Sequence, residues 1–238
     1  MTTAQSVVDT LRAQGNPKTQ ALYARHGMAA DRICGVSTAA MKTIAKSIRG
    51  QQDVALALYA TGIMEAMYIA GMVASGAKMT PQQLQTWADG AAGMQMIAEY
   101  TVPWVTVEHP DARRLASKWI ASKHEHVAAA GWCTWSGIVA TQPDAALDLA
   151  EIEELLTSIP AAINTAKNRV RYTMNGFVIS VGGYVPPLLP LAKKIAAQLG
   201  AVEVDLGDTA CKIPLAGEYI AKMEATGRIG RKKKTIRC

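Results

Sequence analysis

From residue 6 to residue 225 the sequence is a succession of short segments whose apolar residues recur three and four positions apart, each stopped by glycine, proline or a polar cluster. Segments with that period bury one stripe each and must stack on one another to hide it. The spacing predicts helices over 6–14, 18–26, 38–49, 54–59, 63–75, 81–89, 94–107, 111–122, 125–140, 149–158, 169–181, 187–199 and 213–225, with Pro103 kinking the 94–107 segment. Ser37 is placed to cap the third of these, Met41, Ile44, Ala45 and Ile48 form its apolar stripe, and Gly50 ends it. Thr80 before Pro81, Pro110 before Asp111 and Pro186 before Pro187 mark three further helix starts. One run, "AVEVDLG" at 201–207, alternates like a strand through Val202, Val204 and Leu206. A single short strand finds no partner in such a chain, so it reads as an extended loop.

Three of the predicted helices share a likeness. "AGMVASG" at 70–76, "AGWCTWSG" at 130–137 and "NGFVISVGG" at 175–183 each set a glycine before a bulky residue: Gly71–Met72, Gly131–Trp132 and Gly176–Phe177. Glycine within a helix costs about 1 kcal/mol relative to alanine, so its recurrence points to close helix–helix approach. The last two copies lie 45 residues apart, the length of one helical repeat, while the first gap is 60. The expected fold is all-α, an α-solenoid of antiparallel helix pairs; an ordinary globular helical bundle is the alternative.

Charge is distributed unevenly. The chain carries 25 Lys and Arg against 19 Asp and Glu, a net of +6 with a pI near 9.2. Six of the cations, Arg228, Arg231, Lys232, Lys233, Lys234 and Arg237, fall in the last eleven residues, and without them the count is 19 against 19. Residues 1–227 therefore read as one neutral helical domain and residues 228–238 as a basic tail, solvated or phosphate-seeking. No run of about 18 apolar residues is present, and "MTTAQSVVDTLRAQG" lacks a signal-peptide pattern, so a cytoplasmic protein without a membrane partner is expected. Cys34, Cys133, Cys211 and Cys238 are widely spaced, which suits reduced thiols rather than zinc ligands.

The common catalytic signatures are missing, including GxGxxG after a strand, GxxxxGK[ST], HExxH and GxSxG. His124 and His126 flank Glu125, but alternate positions of a helix point apart, so neither metal nor cofactor is expected there. His26 and His109 sit at helix ends, where capping is the ordinary role, and the five tryptophans read first as core. The stretch "KNRVRYTMNGF" at 167–177 is the best positive constellation. Lys167, Arg169 and Arg171 crowd the start of a helix, where cations oppose the dipole yet suit an incoming anion. "DTACKIP" at 208–214 opens the last helix, with Asp208 or Thr209 as its cap and Lys212 extending the positive surface.

Long stretches of the chain resemble the HEAT-like-repeat DNA alkylation repair proteins, whose characterised members are alkylpurine DNA glycosylases. The likeness is carried by "NPKTQALYARHG…GVSTAAMKTIAKSI", "EHPDARRLASKWIASKHEHVAAAGW", "NRVRYTMNGFVISVGGY" and "GRIGRKKKTIRC". It implies a helical solenoid with a concave positive groove that cradles duplex DNA as a monomer, and excision of N3- or N7-alkylated purines by hydrolysis of the N-glycosidic bond. It also implies a groove-lining Trp, an Asp four residues later that steadies oxocarbenium charge, and a second Trp on a later helix.

Those positions are not filled as the resemblance implies. The Asp falls near Gly93 or Met94, the first Trp near Asp89 or Gly90, and the second Trp corresponds to Phe177. Without a placed carboxylate the main electrostatic stabilisation of a cationic sugar is lost, so DNA binding is expected ahead of efficient excision. Glu99, with Tyr100 and Trp104, is the candidate for any residual chemistry. The expected DNA contacts are Lys167, Arg169, Arg171, Phe177, Lys212, Arg228, Arg231, Lys232, Lys233, Lys234 and Arg237. The competing reading is a non-catalytic helical scaffold for a protein or for branched DNA.

Overall fold

A computed structural model describes residues 2–237; Met1 and Cys238 lie outside the described residues. Helices dominate throughout, and no strand forms among the described residues. The chain divides into two compact units, one built from residues up to Asp111 with Leu206–Ala210 and Arg237, the other from Ala112–Asp205 with Cys211–Ile236.

The first unit holds α1 (Ala4–Ala13), α2 (Pro17–Arg25), α3 (Thr38–Ser47), α4 (Gln52–Ala60), α5 (Met64–Val73), α6 (Pro81–Gly90) and α7 (Val102–Thr106). Helices α1, α2, α3 and α6 start where the sequence supplies side-chain caps. Ser37 accepts from the Ala40 amide, and Thr80 and Gln83 form a reciprocal capping box ahead of α6, which opens on Pro81. Helix α5 is the core element, buried at every position from Met64 to Gly71. Tyr59 stacks on Trp87 with ring centroids 3.9 Å apart and donates its hydroxyl hydrogen to the Trp87 carbonyl; burial pushes that phenol well above its ordinary range.

The sequence predicts one kinked helix over 94–107. The chain is helical without a break over 95–106, its middle widened into a π-helical turn, Ile97–Thr101, that leads into α7, with the Val102 amide reaching back five residues to the Ile97 carbonyl. The widened turn sits just before Pro103, which has no amide hydrogen to leave stranded. It also delivers Thr101 against α5 where only glycine fits, since a Cβ on Gly71 would lie 2.6 Å from Thr101 Cγ2.

The second unit holds α8 (Ala112–Ile120), α9 (Glu125–Thr141), α10 (Leu149–Ala162), α11 (Asn168–Tyr184), α12 (Leu189–Leu199) and α13 (Ala216–Ala225). Helices α8 and α9 form a hairpin so tight that a Cβ on Gly131 would meet the Ile120 amide nitrogen at 2.7 Å. Helices α9 and α11 run side by side in one direction. The Arg169 amide donates to Glu125 at one end, and Trp132 packs on Phe177 midway, with centroids 5.3 Å apart. These pairs are 44 and 45 residues apart, the offset of the Gly131 and Gly176 sequence likeness. Gly176 itself does not mediate the approach, because nothing lies within 4 Å of a Cβ built on it. Close packing of α11 falls one turn or more later, where Gly182 meets Ile220 and Gly183 meets Met223.

Residues 201–207 form neither helix nor strand, a loop as expected of the strand-like run, and Gly207 turns the chain at φ +68°. The last helix begins later than 213, and neither Asp208 nor Thr209 caps it: its N-cap is Leu215, without a side-chain cap bond. Asn175 holds the Pro214 carbonyl at 2.8 Å, which fixes the chain just ahead of that start.

Candidate nucleic-acid interface

The first turn of α11 is where the sequence concentrates positive charge, and the structure spreads its residues among several tasks. Lys167, the N-cap, is exposed and donates from Nζ to the Lys123 carbonyl at 2.7 Å. Asn168 clamps the 201–207 loop, donating to the Asp205 carbonyl and accepting from the Asp205 amide, both at 2.7 Å. The guanidinium of Arg169 lies 4.3 Å from the centre of the Tyr172 ring, a cation–π contact, while its amide is met by Glu125 at 2.8 Å. The anion at this helix N-terminus is therefore the protein's own carboxylate. Arg171 turns to a separate cavity lined by α10, α11 and α12.

The basic tail divides into anchors and free ends. In the second unit the Gly230 amide donates to the Gly183 carbonyl and the Lys233 amide to the Ala140 carbonyl, which ties the segment to the ends of α11 and α9. Lys232 is only 19% exposed, and its Nζ reaches the Val139 and Tyr184 carbonyls and the Asp144 carboxylate. Arg228, Arg231, Lys233 and Lys234 remain exposed, with the Lys233 ammonium 5.5 Å from the Tyr184 ring centre. In the first unit Arg237 is 16% exposed, paired with Glu108 at 2.6 Å and bonded to the Gly71 carbonyl of α5 at 2.9 Å. Glu108 also accepts from the Gly76 amide.

The aromatic expectations resolve toward the core. Phe177 is fully buried against Trp132, and Trp87, Trp104, Trp119, Trp132 and Trp135 are each no more than 3% exposed. Lys212 is exposed on the loop ahead of α13. Glu99 lies in the π-helical turn at 8% exposure, beside Tyr100 at 47%, whose ring leans on Trp104. Gly93 is in the left-handed region at φ +71° and Met94 is buried, so neither presents an acid where the resemblance implies one. Asp89 is exposed and accepts from Gln85. Among the described residues no three His, Cys, Asp or Glu side chains gather as metal ligands. Among the described residues no single helix is long and apolar enough to cross a membrane.

Sequence reasoning misses one built feature in the first unit. Glu65 is a wholly buried carboxylate that accepts from the amides of Gly35 at 2.6 Å, Cys34 at 3.0 Å and Val36 at 3.1 Å. Its signal is a lone acid inside "MEAMYIAGM", where every neighbour is apolar or small.

Helices packed in repeated pairs and matched at a 45-residue offset define an α-helical repeat protein of the HEAT-like class. The chain belongs to the DNA alkylation repair enzyme family, whose profile matches residues 7–190. A solved structure described as "a new family of proteins related to the HEAT-like repeat DNA glycosylases with affinity for branched DNA structures" is 34% identical, covers the whole of both chains and superposes with a TM-score of 0.89. Its fold and this one are the same α-solenoid of helix pairs. Two relatives of unassigned role, Lmo0209 of Listeria monocytogenes and Lin0241 of Listeria innocua, are 28% and 27% identical over 225 residues, which is 93% of this chain and 97% of theirs.

Proposed function

We propose that this chain binds branched DNA through surface cations and does not excise alkylated bases with the carboxylate usual in its family. The observation that carries the reading is full-length similarity, at 34% identity, to a structure whose family has affinity for branched DNA. The geometry supports it in two ways. Exposed Lys167, Lys212, Arg228, Arg231, Lys233 and Lys234 supply phosphate contacts, with Arg169 beside them. The acid position that the resemblance implies falls at Gly93 or Met94, neither of which carries a carboxylate, and Glu99 is largely buried. Lys232, Arg237 and Phe177 act structurally in this reading, because each is engaged by carbonyls, a carboxylate or the core.

Fluorescence anisotropy on a three-way junction and on a duplex of equal length, across a salt series, tests the binding. The junction is expected to bind more tightly, with affinity falling steeply as salt rises. Equal affinity would replace branch recognition by general duplex binding, and no binding of either would favour a scaffold for a protein partner. Release of methylated purines, followed with the wild type and Glu99→Gln, tests the chemistry. Both are expected to match spontaneous release; faster release by the wild type alone would restore Glu99 as a catalytic residue.

A further inference from the structure

A cavity of about 500 Å³ opens in the second unit between α10, α11 and α12. Asn164, Arg171, Gln198 and Glu203 line it, and none of these side chains has a hydrogen-bond or ion-pair partner among the described residues. For the three solvated ones this is ordinary. For Arg171 it is not, since a half-buried guanidinium on the cavity wall with no carboxylate or carbonyl partner draws an acceptor from water, an ion or a ligand.

Two further observations narrow the ligand. Glu203 shares the cavity with Arg171 yet does not pair with it, so the site offers donors on one side and an acceptor on another. The segment bearing Glu203 is fixed, because Asn168 grips Asp205 two residues later from both sides of its peptide. Pro160 and Leu199 add apolar wall. A bare phosphate would be repelled by Glu203, and an apolar molecule would strand all four polar groups. A planar heterocycle with apolar faces, acceptors on one edge and donors on another satisfies the lining, and the volume suits a nucleoside.

We propose that this cavity receives one unpaired nucleobase of bound DNA, its acceptor edge on Arg171 and its amino edge on Glu203. This rests on the branched-DNA reading. Branch points and single-stranded arms present bases that are already unpaired, so no duplex need be opened to fill the cavity. Backbone cations would hold the DNA, and the cavity would select the arm.

The test compares two three-way junctions, one fully paired and one with a single 2-aminopurine unpaired at the branch, by anisotropy and by 2-aminopurine emission. The wild type is expected to bind the second about tenfold more tightly, the effect of one well-held base. Arg171→Met is expected to bring the ratio close to one, and so is Glu203→Ala, which alters an exposed loop position and guards against a folding defect in the first variant. Equal binding of both junctions by the wild type, or a ratio that survives both substitutions, overturns the proposal while leaving the DNA reading intact. Failure to bind either junction overturns both.

Discussion

The Nζ of Lys232 donates to the Tyr184 carbonyl at 2.7 Å and to the Val139 carbonyl at 2.9 Å, so a single ammonium closes the C-termini of α11 and α9 together. The last carbonyls of a helix have no intrahelical donor and carry the negative end of its dipole. Two parallel helices side by side double that demand at one place. Asp144, 2.8 Å away, balances the charge. A basic tail thus contributes to stability by supplying the donors that the repeat geometry leaves missing.

Lys232→Met is therefore expected to destabilise the protein by about 2 kcal/mol, the scale of hydrogen bonds to a charged, partly buried group. Lys234→Met, at an exposed position, is expected to stay within about 0.5 kcal/mol of the wild type. Urea unfolding followed by circular dichroism separates the two. Equal midpoints for both variants would show that the tail carries no capping load.

Glu65 does comparable work in the first unit by drawing three consecutive amides of the 34–36 loop onto one buried carboxylate. Gly35, at φ +85°, is required there because a Cβ would stand 2.6 Å from the Asn16 carbonyl oxygen. Glu65→Ala strands those amides and is expected to cost about 3 kcal/mol; Glu65→Gln, which keeps an acceptor oxygen, about half as much. Thermal melts of the two variants check the order, and a larger loss in Glu65→Gln would contradict it.

How far the sequence discloses this molecule depends on the range of the interaction. Local signals read true: Ser37 and Thr80 cap their helices, residues 201–207 form no strand, and the 45-residue likeness is a parallel helix pair. What stays hidden depends on partners distant in the chain. Lys232 meets Val139 at a separation of 93 residues and Arg237 meets Gly71 at 166, and a charge run carries no trace of either. Gly176 resembles Gly71 and Gly131 in sequence, but only the packing of a neighbour decides whether a helix glycine is needed.

That distinction is measurable. Gly131→Ala drives a methyl group into the backbone of α8, with the Ile120 nitrogen at 2.7 Å and the Ala116 oxygen at 3.0 Å, and is expected to destabilise by about 2 kcal/mol. Gly176→Ala meets nothing within 4 Å and removes the helix penalty of glycine, so it is expected to stabilise by up to about 1 kcal/mol. Opposite signs in denaturant midpoints are the expected outcome; two losses would mean that α11 has no spare room.

Cys34 gives a chemical readout of the Glu65 loop. Burial raises its thiol pKa, and the neighbouring Glu65 carboxylate raises it further, while Arg12 works the other way. Only the thiolate alkylates, so a raised pKa means slow reaction at neutral and mildly alkaline pH, quickening as pH climbs through the raised value. Glu65→Gln removes the second cause and is expected to move the onset of iodoacetamide labelling at Cys34 to lower pH, read by mass spectrometry of the peptide. An onset that stays put would assign the whole effect to burial.

The division of the tail into anchors and exposed cations also predicts how DNA binding responds to salt. On duplex regions, removing the cation that neutralises one phosphate flattens the slope of log affinity against log salt by about 0.9. Replacing exposed Arg228, Arg231, Lys233 and Lys234 together by alanine is expected to flatten it by about 3.6 and to weaken binding to junction and duplex alike, since phosphate contacts position without selecting. Lys232→Met, assayed where it remains folded, is expected to leave the slope within about 0.5 of the wild type, because its ammonium is already committed to Val139, Tyr184 and Asp144. A slope that falls with Lys232 and not with the four exposed residues would reverse the assignment of anchor and contact.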